Sequence, residues 1–267
     1  MIVDAIKSAA VKKNLSRADA EAVMDEIMSG KASDIQMAAY LAAMSAKGET
    51  IEEIIGSAEG MRKHCVRLLH DMDVLEIVGT GGDMSNSFNI STTAAIVISA
   101  SGIPVAKHGN RAATSRCGAA DVLEALGVNI DMTPEKNLAM LKEIGLCFLF
   151  AQNYHIAMKY VAPVRRELGI RTMFNILGPL VNPAGAGREL LGVYEDELVE
   201  PMAKVLVGLG VRHAFVVHGT DGLDEISVSA PTTVCEVRDG FIRSFELNPE
   251  SLGLRLHDRS QLVGGTP

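Results

Sequence analysis

Residues 75–83 read LEIVGTGGD and residues 85–102 read SNSFNISTTAAIVISASG. An apolar, β-branched run enters a glycine-rich turn, and a segment rich in Ala and Ile leaves it. Strand, turn and helix in succession form the repeating unit of a sheet with helical crossovers. Gly79, Gly81 and Gly82 let the turn take positive φ and bring its N–H groups close to an anion. Asn89, Ser91, Thr92 and Thr93 fall where the helix begins, where free N–H groups and the helix dipole favour phosphate. Their hydroxyls add donors or a metal ligand. The spacing fits neither the dinucleotide fingerprint nor the nucleoside-triphosphate loop, which leaves another kind of phosphorylated ligand as the expectation.

Outward from this unit, IPVAKHG (103–109), VNID (128–131), CFLFA (147–151), ELLGVY (189–194) and AFVVHG (214–219) read as further strands alternating with helices. Such alternation argues for a mainly parallel central sheet flanked by helices. TTVCEVRDGFIRSFEL (232–247) reads as an antiparallel hairpin about Asp239-Gly240, a favoured type I′ pair. Upstream, the pattern is helical. Ser16 precedes an Ala-rich amphipathic stretch, Ser33 with Gln36 and Thr50 with Glu53 match capping boxes, and Gly30 and Gly48 sit where helices stop. The segment MKYVAPVRRELGIRTMFNILGPLVNP (158–183) interrupts the alternation and is expected to return to the helical part. The fold class is therefore α/β, with a small N-terminal helical domain and a larger sheet-containing one. Residues 1–70, completed by about 163–183, make the first; residues 71–162 and 184–267 make the second. The closing VGGTP looks like the lead-in to another helix, so the C-terminus is expected to be truncated.

Composition narrows the class. The 267 residues are 48% hydrophobic and 22% charged, a globular balance. No apolar run is long enough to cross a bilayer, and Asp4 stands where a signal peptide would need basic residues. Cys65, Cys117, Cys147 and Cys235 form no CxxC pair and read as reduced thiols of a cytoplasmic protein. A net charge of −8 and the absence of Trp speak against nucleic acid as a partner. From Met84 to Ala120 there is no acidic residue, yet Lys107, Arg111 and Arg116 lie there. A locally positive window in an acidic chain points to a small anion held in one place.

Three further segments carry chemistry. IPVAKHGNRAATSRCG (103–118) ends a strand at Lys107, turns at Gly-Asn-Arg and leads to a helix begun by Thr114 and Ser115. His108 reads either as an acid–base group or as a neutral residue shaping the turn, and Arg111 and Arg116 either as anion ligands or as solvated charges. HGTDGLDEIS (218–227) sets Asp224 beside Glu225 at a turn after a strand, with Asp221 as a turn residue. Adjacent hard oxygens plus a substrate diphosphate suit Mg²⁺, which takes few protein ligands. In PVRRELG (163–169), Arg165 or Arg166 offers a planar fork for a carboxylate; the alternative is a pair of surface charges.

In this order, GTGGD, FNIST, KHGNRAATSRCGAADVLEALG, RTMFNILGPLVNP and DGLDE resemble the anthranilate phosphoribosyltransferases over nearly the whole chain. The resemblance implies transfer of phosphoribosyl from phosphoribosyl diphosphate to the amine of anthranilate, in tryptophan biosynthesis, with Mg²⁺ as cofactor. Carried over, Gly79, Thr80, Gly81, Gly82, Asp83, Asn89, Ser91, Thr92, Lys107 and Ser115 would hold the sugar diphosphate. Asp83, like-charged with that ligand, is expected to shape the loop or meet metal or water. Gly79, His108, Asn110 and Arg165 would line anthranilate, with Arg165 on its carboxylate. Ser91, Asp224 and Glu225 would bind Mg²⁺. No general base is assigned, because an aryl amine already presents its lone pair. A homodimer through the helical domain follows from the family and is helped by the apolar run 37–44. The alternatives are a pyrimidine nucleoside phosphorylase of the same fold group and a non-catalytic relative that binds nucleic acid. Family members continue beyond the point where this chain stops.

Overall fold

The computed structural model describes residues 1–112 and 116–266. They form two compact units, one of residues 1–66 with 152–183 and one of residues 67–151 with 184–267.

The helical unit is built on α1 (Ile2–Ala10), α2 (Arg17–Met28), α3 (Asp34–Lys47) and α4 (Ile51–Lys63). The caps follow the sequence pattern. Ser16 Oγ accepts from the Asp19 N–H, and both the Ser33–Gln36 and Thr50–Glu53 boxes close reciprocally. In the run 37–44, Met37, Tyr40, Leu41 and Met44 recur at helical spacing and are all buried within the unit. That face is core, while Ala38, Ala39, Ala42 and Ala43 between them are half-buried or exposed. α2 and α4 pack closely because α4 carries Gly56 and Gly60 on the shared face. A methyl group at Gly56 would stand 2.1 Å from the Arg17 carbonyl oxygen, and one at Gly60 would stand 2.7 Å from Met24 Cβ. Residues 152–183 add α9 (Ala162–Leu168) and α10 (Phe174–Leu177) to this unit, after α8 (Ala151–Tyr154) at its edge.

A buried ion pair locks the helix connections. Glu53 accepts from the Leu15 N–H at 2.7 Å, the Thr50 N–H at 2.8 Å and Lys47 Nζ at 2.7 Å. Lys47 also donates to Asn14 Oδ1 and the Gly48 carbonyl. Burial pushes the Glu53 carboxyl up, but these donors outweigh it and hold it below its usual range. Removing one partner leaves an uncompensated buried charge. Lys47→Met is therefore expected to cost about 3–5 kcal/mol in urea unfolding; an unchanged midpoint would refute the pair's structural weight.

The second unit holds β1 (Leu75–Gly79), α5 (Ile90–Ala100), β2 (Val105–Gly109), α6 (Ala119–Ala125), α7 (Pro134–Ile144) and β3 (Leu146–Phe150). After the excursion come β4 (Arg188–Gly192), α11 (Val199–Gly208), β5 (His213–Gly219), β6 (Thr232–Arg238) and β7 (Phe241–Leu247). Among the described residues they make one seven-stranded sheet in the order β3-β2-β1-β4-β5-β6-β7. β1 to β5 run parallel, and β6 and β7 form the expected hairpin, with Asp239 and Gly240 both at positive φ. VNID (128–131) is not a strand. Only Ile130 of it is deeply buried, filling the cluster of Leu123, Phe148 and Phe150 between α6 and β3. Val128 packs half-buried on the same cluster, and its N–H is taken by the Leu123 carbonyl at 2.9 Å, so it closes the end of α6 rather than joining a ladder. α5 closes the sheet over β1 and β2 through Ile77, Ala95 and Val105.

The order places the chain's change of direction between β1 and β4, in register at Gly79 and Gly192. Open α/β sheets bind ligands at the carboxyl ends of strands at such a switch point. No helix among the described residues is long and apolar enough to cross a membrane. All four cysteines are free thiols; Cys147 and Cys235 are buried, while Cys65 and Cys117 are half-buried.

Candidate functional site

The β1–α5 loop departs from the sheet at Gly79. Thr80 N–H donates to the Gly192 carbonyl at 2.9 Å, and Thr80 Oγ1 accepts from the Tyr194 N–H at 3.1 Å. These two bonds pin the loop to β4. Gly81 and Gly82 then take φ of 67° and 76°, the left-handed region where a side chain is costly. The turn aims the Gly81 N–H at Asp224 Oδ2, 2.7 Å away. The loop after β5 thus meets the loop after β1.

Glycines clear the space for that meeting. A methyl group on Gly79 would lie 2.4 Å from Asp224 Oδ2, and one on Gly192 would lie 1.6 Å from the Asp224 carbonyl oxygen. The acidic loop is itself braced. Gly219 N–H donates to the Leu223 carbonyl at 2.8 Å, and Asp221 Oδ2 accepts from Ser227 Oγ at 2.9 Å and from Ser229 Oγ. Asp221 is thus a turn residue, as its place in the motif indicates.

At the start of α5, Ser91 Oγ donates to Glu225 Oε1. Asn89 is the cap residue, yet its side chain donates to the Cys117 carbonyl at 3.2 Å rather than capping the helix. Thr92 is buried, and Thr93 Oγ1 bonds back to the Asn89 carbonyl. Asp83 Oδ1 accepts from the Ser85 N–H at 3.3 Å, while its buried Oδ2, beside the Asp224 carboxyl, accepts from no N–H among the described residues. Lys107, 4% exposed, donates from Nζ to the Ile77 carbonyl at 2.6 Å.

The electrostatics are those of an acid cluster. Burial, then the charges of Asp83 and Glu225, push the Asp224 carboxyl up to about 7 against the opposing Gly81 N–H. Burial likewise raises Glu225, opposed by the Ser91 hydroxyl and the Lys107 charge. Burial pushes the Lys107 ammonium down, and Glu76, Glu225 and Asp224 push it back up. No set of three or more His, Cys, Asp or Glu among the described residues is gathered to hold a metal alone. The donors at hand are hard oxygens, the type Mg²⁺ takes alongside water and substrate phosphates.

Not every candidate joins this cluster. Asn110 is exposed, its Oδ1 accepting from the Arg111 N–H. His108 is buried, with its backbone N–H donating to Glu76. Arg111 is committed to Asp121 and Glu124 and stacks 5.5 Å from the Phe150 ring centroid, so the positive window of the sequence is partly neutralised by the next helix. Arg165 lies in the helical unit, half-buried, with its guanidinium 5.3 Å from the Phe174 ring centroid. Ser115, with Thr114, lies outside the described residues. Sequence reasoning passed over Glu76 and Gly192. A carboxylate inside a β-branched run and a glycine closing the ELLG strand were the available signals.

Residues 3–65 match the glycosyl transferase family, helical bundle domain, and residues 71–267 match the glycosyl transferase family, a/b domain. The two domains are those of a glycosyl-transferring enzyme. The chain is 64% identical over its full length to an anthranilate phosphoribosyltransferase of Lachnoclostridium phytofermentans, of which it covers 80%. The crystal structure of anthranilate phosphoribosyltransferase from Thermus thermophilus matches with a TM-score of 0.93 at 46% identity, over 99% of this chain and 79% of that one. The enzyme from Saccharomyces cerevisiae, solved in complex with PRPP and Mg, matches at 0.90 and 31% identity, over 100% and 77%. The chain belongs to the anthranilate phosphoribosyltransferase family. Its chemistry is that of a pentosyl-transferring glycosyltransferase, and this assignment displaces the phosphorylase and nucleic-acid-binding alternatives.

Proposed function

We propose that the cluster at the ends of β1, α5 and β5 is where this chain carries out the family reaction. Phosphoribosyl passes from phosphoribosyl diphosphate to the amine of anthranilate, and diphosphate leaves. The observation that carries the proposal is the convergence of Gly81 N–H on Asp224 with Ser91 Oγ on Glu225. It brings a glycine-rich anion loop, a helix N-terminus and two hard carboxylates to one place.

Asp83 Oδ2 and the raised Asp224 and Glu225 carboxyls describe buried negative charge in want of a cation. Ser91, Asp224 and Glu225 would hold Mg²⁺, and Asp83 fits a contact to metal-bound water better than one to phosphate. When bound, Mg²⁺ stabilises the charge that builds on the departing diphosphate. The chain's own part is preorganisation. The glycines of residues 79–83 keep the loop clear of side chains, and the N-terminal turn of α5 would direct its dipole at the sugar diphosphate. Lys107 adds a buried positive charge whose geometry is set by the Ile77 carbonyl. The amine attacks with its own lone pair, so no strong base is required before attack, and positioning supplies much of the rate. Arg165, its fork held by Phe174, would take the anthranilate carboxylate. The homodimer and the cytoplasmic location are proposed on family grounds, with light scattering as the test of the first.

The coupled loss of anthranilate fluorescence, with phosphoribosyl diphosphate and with or without Mg²⁺, tests the function. No product under any metal condition would sink it. Lys107→Met is expected to raise the KM for phosphoribosyl diphosphate about tenfold or more, as loss of one charge-assisted contact. A KM within twofold of the parent would remove Lys107 from the site.

A pH effect follows from Asp224. Its proton is held more tightly in the folded chain than in the unfolded one. That contributes stability below the ordinary carboxylate range, which is lost as pH climbs through about 7. A bound cation restores it. The rise in melting temperature on adding Mg²⁺ is expected to be larger at pH 8 than at pH 5; equal rises would contradict the placement of the metal on Asp224.

A further inference from the structure

β1 and β2 are neighbours in the sheet, yet they pair only at Leu75–Val105, whereas β2 and β3 pair at all five positions from Val105 to Gly109. Beyond that first pair the backbone ladder between them stops. Side chains take over. Lys107 Nζ donates to the Ile77 carbonyl at 2.6 Å, and both carboxylate oxygens of Glu76 accept from the His108 N–H at 3.1 Å. Glu76 is 0% exposed, and neither the sequence motifs nor the reaction gives it a task. A carboxylate inside a sheet is costly unless it is bonded and paired.

We propose that Glu76 is a positioning residue of the phosphoribosyl diphosphate site, acting through Lys107. It anchors the Lys107–His108 backbone where the ladder stops and supplies the buried counter-charge for the Lys107 ammonium. The charges that face Lys107 are Glu76 from β1 and Glu225 and Asp224 from the loop after β5. Of these, Glu76 raises the ammonium most. It is also the one that remains when a cation engages the other two. Around Glu76 itself stand Cys147 of β3, whose thiol burial and then Glu76 push up to about 12, and Glu189, its register partner on β4. The interrupted ladder thereby lets a lysine sit nearly dry, oriented by the Ile77 carbonyl and balanced most by Glu76.

The inference rests on Lys107 facing the sugar diphosphate, which Lys107→Met tests by itself. Glu76→Gln keeps the shape and one acceptor for the His108 N–H while removing the charge. It is expected to raise the KM for phosphoribosyl diphosphate about tenfold with kcat and the KM for anthranilate changed less than about threefold. In a Lys107→Met background the same change is expected to add less than about twofold, because the interaction is already gone. If Lys107→Met raises KM and Glu76→Gln does not, the role of Glu76 is overturned while the site stands. If Lys107→Met has no effect, both fall. Additive effects on KM in the double variant, or a loss confined to kcat, would reduce Glu76 to packing and overturn the proposal. Should Glu76→Gln fail to fold, recovery of folding on adding Lys107→Met supports the charge pairing, and a double variant that stays unfolded overturns it.

Discussion

Replacing Asp224 by Asn and Glu225 by Gln together should lower the transfer rate by about a hundredfold or more, the scale of removing preorganised charge stabilisation from a leaving group. The same change should leave the protein as stable as the parent, or more so, when Mg²⁺ is absent. The opposite signs have one cause. Asp224 and Glu225 are both raised by burial and by neighbouring carboxylates, so each ionised form is held at a cost. Uncharged isosteres retain an acceptor for Gly81 N–H and for Ser91 Oγ, which keeps the two loops joined. They discard the repulsion, and with it the negative oxygens that a cation needs. Melting curves with and without Mg²⁺ and the anthranilate fluorescence assay read both effects. A double variant with activity within threefold of the parent would refute the metal assignment. One that loses stability without metal would refute the account of the acid cluster.

Gly192→Ala should be nearly as damaging, although Gly192 belongs to no motif. The added methyl would stand 1.6 Å from the Asp224 carbonyl oxygen and 2.5 Å from its carbonyl carbon. Those are backbone atoms, so no rotamer relieves the clash and the acidic loop must move bodily. A shift of about an ångström in a positioned group costs about a hundredfold in rate, and overpacking of this kind costs about 1–3 kcal/mol. The half-saturating Mg²⁺ concentration should rise as well, because the carboxylates move with the loop. Gly265→Ala is the control, since nothing lies within 4 Å of a methyl there and its φ is outside the left-handed region. It should change neither rate nor melting temperature appreciably. A Gly192→Ala protein with parental kinetics would show that the acidic loop is free to move without consequence.

The helical unit was legible because its signals are local. Cap residues three apart, stop glycines and the 37–44 apolar face depend only on short-range geometry, and the structure forms each. The strand–glycine turn–helix unit was legible for the same reason. VNID misled because an alternating run of four also suits a loop that buries one side chain, and here Ile130 is that side chain. Arg111 misled because its charge was counted by sequence window, whereas its partners Asp121 and Glu124 lie just beyond the window on the next helix turn. Gly192 and Glu76 were passed over for a different reason. Their importance comes from atoms many residues away: the Asp224 backbone for one, the His108 N–H for the other.

The sequence by itself determined the elements, their α/β alternation, the glycine loop of residues 79–83 and the family to which the chain belongs. It also determined which residue types stand ready: hydroxyls at 91–93, Lys107 and the Asp224-Glu225 pair. Only the tertiary structure decided that these meet. The strand order reverses between β1 and β4, so loops more than a hundred residues apart leave the same edge of the sheet. Two glycines in register, Gly79 and Gly192, leave the gap into which Asp224 fits. The end of the β1–β2 ladder after Leu75–Val105 gives Glu76 and Lys107 backbone groups to satisfy. Local pattern fixes each element because its forces act over a few residues. Charge burial and close approach act through space, and they took their values only once the sheet was assembled.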